Sequence, residues 1–121
     1  MADSAIRILV VEDDPDVGLL IEHVLDSAGY RVDRATTALD SRSLIASNHY
    51  DLVLADGVLP DGNGIEVADD ATARGMKVLI VTGYALQFSQ LGVLRRHDYV
   101  LKPIRPGALI ALIADKVGRA A

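Results

Sequence analysis

Five short runs of aliphatic and β-branched residues recur along the chain at similar intervals: Arg7 to Val11, Tyr30 to Ala35, Asp51 to Ala55, Lys77 to Val81 and Tyr99 to Leu101. Their length and composition predict β-strands. The stretches between them carry a different period. From Asp14 to Ala28, the residues Val17, Leu20, Ile21, Val24 and Leu25 fall at i, i+3, i+4, i+7 and i+8, which predicts an amphipathic helix with one apolar stripe. Asp14 can cap its free amides, Pro15 suits its first position, and Gly29 suits the left-handed residue after its last turn. A second helix is expected from the cap Thr37, carrying Leu39, Ser43, Leu44 and Ile45. A third is expected from Ile65 to Arg74, ending at Gly75. The last runs from Pro106 to about Gly118 with Leu109, Leu112, Ile113 and Val117 inward.

The runs Leu52 to Ala55 and Val78 to Val81 are apolar at every position. A strand tolerates that only when both its faces are covered, as in the middle of a parallel sheet between two helical layers. Alternating strands and helices with right-handed crossovers then give a three-layer α/β/α open sandwich. Thr82 to Asp98 fits least well: it has Gly83, Gly92 and a lone Phe88 but no clean stripe, and a short or irregular fourth helix is expected near Leu86 to Arg96. The chain shows no internal repeat, low-complexity segment or linker.

Composition narrows the picture. A chain of 121 residues, half of them hydrophobic, is the size of one domain, so residues 1–121 read as a single unit. The net charge of −5 argues against a nucleic-acid or anionic-membrane surface. The run Arg95, Arg96, His97 reads as a solvated helix end. The chain has no cysteine, which excludes disulfides and thiolate metal sites and fits a reducing compartment. No leader pattern and no apolar run near the roughly 20 residues of a membrane helix is present, so a cytoplasmic location is expected.

In an open α/β sheet, ligands sit beyond the carboxyl ends of the strands. Glu12, Asp13, Asp56, Thr82 and Lys102 each follow directly on a strand run, so this fold would gather them at one rim. Carboxylates crowded there repel one another unless something positive sits among them, which points to a divalent cation beside a reactive carboxylate and to phosphoryl chemistry.

In this order and spacing, the motifs ILVVEDDP, YDLVLADGVLPDGNG and YVLKPI resemble the receiver domain of two-component response regulators, over essentially the whole chain. That resemblance implies a doubly wound, flavodoxin-like sheet of five parallel strands in the order 2-1-3-4-5. It implies that Asp56 is the phosphoacceptor, taking a phosphoryl group from a histidine kinase, a histidine phosphotransfer protein or a small phosphodonor. Glu12 and Asp13 match the family's acidic pair, of which the second binds Mg²⁺ directly and the first largely through water. With Asp56 and the carbonyl of Val58 they would leave room for solvent and a phosphoryl oxygen. Thr82 and Lys102 match the hydroxyl and ammonium that contact the phosphoryl oxygens. A cis bond before Pro103 and an aromatic switch at Tyr99, coupled to Thr82, are implied as well. The partners implied are a kinase or phosphotransfer protein and a downstream protein effector. Such a module catalyses its own phosphorylation and dephosphorylation and is not otherwise an enzyme.

The pattern is not followed everywhere. Gly83 stands where alanine is common and Tyr84 follows, as in some stand-alone receivers, and Asp98 stands where a small residue is frequent. Val58 and Tyr84, two places beyond Asp56 and Thr82, carry no carboxylate or amide to align an attacking water, which predicts a long-lived phosphoryl group. The main alternative is a receiver-like interaction module that is never phosphorylated, against which the intact set Asp13, Asp56, Thr82 and Lys102 counts. A haloacid dehalogenase-like enzyme would need an aspartate where Val58 stands. A flavodoxin-like nucleotide or flavin binder would want glycines where the acidic EDDPD lies.

Overall fold

The computed structural model describes residues 5–83 and 97–118; the expected fourth helix, Tyr84, Arg95 and Arg96 lie outside the described residues. The elements are β1 (Arg7–Val11), α1 (Pro15–Ser27), β2 (Arg31–Ala35), α2 (Ala38–Ser47) and β3 (Leu52–Asp56). They continue with β4 (Val58–Leu59), β5 (Gly62–Asn63), α3 (Gly64–Ala73), β6 (Lys77–Thr82), β7 (Asp98–Leu101) and α4 (Pro106–Val117). The main sheet runs β2-β1-β3-β6-β7 with every pair parallel. Counted within that sheet, this is the order 2-1-3-4-5. The remaining strands, β4 and β5, form a separate antiparallel pair.

Alternation along the strands splits the core in two. Leu9, Val11, Val53, Ala55 and Ile80 face Ile45 of α2 and Ile65, Ala68 and Ala71 of α3. Ile8, Val10, Leu52, Leu54, Leu79 and Val81 face Leu25 of α1 and Leu109 and Ile113 of α4. Successive side chains on a strand point to opposite faces, so Ile8–Val11 of β1 and Leu52–Ala55 of β3, buried on both, are apolar at every position. The helix ends follow local chemistry. The Asp14 carboxylate accepts from the amides of Asp16 (2.9 Å) and Val17 (3.3 Å), and the Thr37 hydroxyl accepts from Asp40 N (3.0 Å). Gly29 takes a φ of 95° just past α1, where a side chain would be strained.

The apolar stripe of α1 differs from the expected one. Leu20 is 58% exposed, while Gly18 and Leu25 are buried and Ile21 packs against the core. The buried face is centred on Gly18, Ile21 and Leu25 because Ile21 and Leu25 pack onto the sheet face formed by Ile8, Val10, Leu52 and Leu54; Arg34 lies over Gly18, where a β-carbon would sit 3.3 Å from its guanidinium. Leu20, one residue or about 100° round the helix from Ile21, turns to solvent. Leu39, in the first turn of α2, is likewise exposed. His97 is not part of a solvated end: it is buried, with Nε2 2.7 Å from the Asp69 carboxylate.

Candidate functional site

Because β1, β3 and β6 are parallel neighbours, their carboxyl ends open on one rim. β1 delivers Glu12 and Asp13, β3 ends on Asp56, β6 ends on Thr82, and the turn after β7 delivers Lys102. Glu12, Asp13 and Asp56 each offer a carboxylate oxygen, and the three oxygens lie within 4.8 Å of one another. The Lys102 ammonium donates to Glu12 Oε1 at 2.8 Å and to Asp56 Oδ2 at 3.2 Å. Asp56 Oδ1 accepts from the amide of Val58 at 3.2 Å, and Glu12 Oε2 from the amide of Asp14 at 3.3 Å. Asp13, Asp56, Val58 and Lys102 line an open cleft between the ends of the strands.

One ammonium is thus shared by two carboxylates whose side chains are only 4% and 10% exposed, with a third beside them. Burial is the main reason that Glu12 holds its proton up to about pH 7, with the hydrogen bond and charge of Asp56 adding to it and Lys102 pulling the other way. Burial also works against the charge on Lys102. Its hydrogen bond to Glu12 and the charges of Asp56 and Glu12 outweigh that, so its proton is held more tightly than usual. The lysine stays charged, yet one positive charge does not neutralise the rim. A cluster of hard oxygen donors with surplus negative charge and access to solvent has the chemistry Mg²⁺ requires.

The other residues singled out in the sequence fall around this cluster. Thr82 is fully buried, and its carbonyl accepts from Lys102 N at 3.0 Å. The Lys102–Pro103 peptide bond is cis. Tyr99 pairs with Ile80 in the sheet, two residues before the Thr82–Leu101 pair, and is 37% exposed. Val58 is exposed at the lip, and Asp14 serves α1 as its cap.

Sequence reasoning missed how the segment after Asp56 is held. Asp61 reaches across to α2, where Oδ1 accepts from Ala38 N at 2.7 Å and Oδ2 from Leu39 N at 3.0 Å. Those two backbone hydrogen bonds pull its pKa below the usual carboxylate value. Gly64 packs against the backbone of Asp56: a β-carbon there would lie 2.1 Å from the Asp56 carbonyl oxygen. The motif DGNG reads as a turn. Its glycines fit a turn whose backbone passes close to the site, and Gly64 is the one that makes that approach, against the Asp56 carbonyl.

A parallel sheet in this order, with an acidic triplet and a lysine at one rim, defines an open α/β module with a candidate divalent-cation site at its strand ends. The chain belongs to the response regulator receiver domain family of two-component signalling, whose model matches residues 8–114. It is 34% identical over 120 residues to the probable transcriptional regulatory protein SilR of Salmonella typhimurium, covering 93% of this chain and 51% of that protein. The chain therefore spans about half the length of that curated relative. A CheY-like receiver domain protein from Methanospirillum hungatei JF-1 superposes with a TM-score of 0.87, at 36% identity and 94% coverage of both chains. The receiver domain of sensor histidine kinase PA1611 from Pseudomonas aeruginosa PAO1 superposes with a TM-score of 0.84, at 28% identity over 95% of this chain and 99% of that one. Its crystal structure has a magnesium ion coordinated in the active-site cleft. No helix among the described residues is long and apolar enough to cross a membrane.

Proposed function

We propose that the protein accepts a phosphoryl group on Asp56 from a phosphohistidine of a kinase or phosphotransfer protein and passes the signal to a protein effector in the cytoplasm. The observation that carries this reading is the convergence of three carboxylate oxygens within 4.8 Å at the strand ends, bridged on one side by Lys102. Asp13, Asp56 and the Val58 carbonyl would hold Mg²⁺, with Glu12 acting largely through water. When bound, the ion supplies positive charge to the oxygens of the group in flight.

The chain's own residues do the rest. One oxygen of the Asp56 carboxylate attacks phosphorus, an O–P bond forms, the P–N bond to the donor histidine breaks, and its electron pair stays on the imidazole nitrogen. Lys102 is already 3.2 Å from Asp56 Oδ2 and 2.8 Å from Glu12. It would move from these carboxylates to the phosphoryl oxygens as negative charge arrives there. The Thr82 hydroxyl would contact the same oxygens, drawing the end of β6 inward. The adjacent ring of Tyr99 would turn in response, altering the surface beside β7. Hydrolysis of the acyl phosphate returns the carboxylate.

The test is chemical labelling. With Mg²⁺ and acetyl phosphate, the wild type is expected to gain about 80 Da, the mass of one phosphoryl group, and Asp56→Asn to gain nothing. An adduct that forms on Asp56→Asn, or forms equally in excess chelator, contradicts the assignment.

A further inference from the structure

Beyond the β4–β5 pairing of Val58 with Asn63 and Leu59 with Gly62, the segment between Asp56 and α3 is tied at three points. Gly64 N donates to Gly57 O at 3.2 Å, Leu59 is buried in the α2/α3 core, and Asp61 spans the first two amides of α2. The first two ties are local or apolar. The third crosses 23 residues of sequence and joins an exposed carboxylate to the N-terminus of another helix, where two unpaired amides and the positive end of the helix dipole favour a negative charge. α2 has its own cap in Thr37, so Asp61 satisfies amides that Thr37, bonded to Asp40 N, does not reach.

The geometry points to Asp61 as a positioning residue of the phosphoacceptor site. By bridging to Ala38 N and Leu39 N, it fixes residues 57–63 so that the Val58 backbone and its hydrogen bond to Asp56 Oδ1 are set before the metal arrives. This inference rests on the proposed Mg²⁺ site, to which Val58 would contribute its carbonyl. Asp61 itself takes no part in that site; both its oxygens are engaged by α2. Groups that orient a metal site's ligands set its affinity, and their loss typically weakens metal binding by about 10- to 100-fold.

Two variants separate positioning from helix stability. Asp61→Ala cuts the tie, whereas Thr37→Ala removes a cap from the same helix end and leaves the tie in place. Mg²⁺ affinity by calorimetry, at a temperature where circular dichroism shows every variant folded, is expected to fall about tenfold in Asp61→Ala and to change less than about twofold in Thr37→Ala. In metal-free buffer, amide exchange at Val58 is expected to speed up in Asp61→Ala alone. Asp61→Asn, which keeps one good acceptor, is expected to fall between wild type and Asp61→Ala. Equal losses in Asp61→Ala and Thr37→Ala, or wild-type affinity and exchange in Asp61→Ala, overturn the inference. If the wild type binds no Mg²⁺, the reading of the site has failed, and the Val58 exchange rate alone decides whether Asp61 holds the loop.

Discussion

The two ends of the sheet are built from similar groups and put them to opposite use. Where the strands begin, Arg7 Nη2 lies 3.3 Å from Asp33 Oδ2, the Tyr50 hydroxyl donates to that same oxygen at 2.6 Å, and Arg7 N donates to Asp51 Oδ2 at 2.8 Å. The Arg7 guanidinium also lies 5.0 Å from the centre of the Tyr50 ring. The acids there are matched by donors, and burial together with the Asp33 hydrogen bond makes the Tyr50 hydroxyl harder to ionise than usual. Where the strands end, two carboxylates share one lysine with a third beside them, and Glu12 is driven toward neutrality. Matched charge holds a fold together. Surplus charge leaves a site that gains energy only when something binds, the trade between stability and activity that reactive sites make.

The comparison predicts substitutions of opposite sign. At the starting end, Asp33→Ala strands the Tyr50 hydroxyl and takes from Arg7 its ion-pair partner, leaving it the Asn48 side chain, and is expected to cost about 2–3 kcal/mol in urea unfolding. At the finishing end, Asp56→Asn removes a charge from an overcrowded rim and is expected to raise metal-free stability at pH 8 by about 1 kcal/mol, while abolishing labelling. A stability loss for Asp56→Asn as large as for Asp33→Ala would erase the distinction between the two ends.

The pH response is of comparable size and arises at the crowded rim alone. In the folded chain Glu12 holds its proton up to about 7, against an ordinary 4.5. Its folded value is raised, so the native state binds the proton more tightly than the unfolded chain does. The contribution to stability is full below about 4.5 and is lost as pH rises through about 7. Metal-free wild type is therefore expected to lose on the order of 3 kcal/mol at most between these values, and Glu12→Gln much less. Saturating Mg²⁺ should reverse the loss, adding about 2.7 kcal/mol at 100 times its Kd. Equal pH profiles for wild type and Glu12→Gln would show that Glu12 is not under this strain.

Smaller effects test single contacts. Tyr50→Phe removes one hydrogen bond to Asp33, which keeps Arg7, and is expected to cost about 1 kcal/mol by thermal or urea unfolding. Val58 stands where a polar side chain could align water against the phosphoryl group. Val58→Asn is expected to shorten the phosphoryl lifetime several-fold, read by loss of the mass adduct over time; an unchanged lifetime would show that Val58 does not protect the bond.

Much of this was legible in the sequence because it depends on neighbours along the chain. Asp14, Thr37 and Gly29 mark helix ends through bonds and angles set within three residues. The unbroken apolar runs Leu52 to Ala55 in β3 and Val78 to Val81 in β6 reveal burial on both faces, and with it the sheet's centre. The acidic pair, Asp56 and Lys102 were readable because each terminates a strand run. What was not legible depends on contacts made only after folding. Packing of Ile21 and Leu25 onto the sheet turned the α1 stripe away from Leu20. The β4–β5 pair has two residues per strand, too few for any period to register. His97, in a basic run, is buried because Asp69 on α3 meets it. Asp61 looks like a turn residue, yet its distinctive partners are the α2 amides.

The central claim is that the surplus negative charge at the strand ends is held for a divalent cation. An NMR titration of the metal-free protein with Mg²⁺ tests it most directly. The account predicts saturable amide shifts concentrated at Glu12, Asp13 and residues 56–58, strongly weakened in Asp13→Asn, while Arg7, Asp33 and Tyr50 stay unmoved. Shifts spread evenly over the acidic surface, or a titration that Asp13→Asn leaves intact, would contradict it.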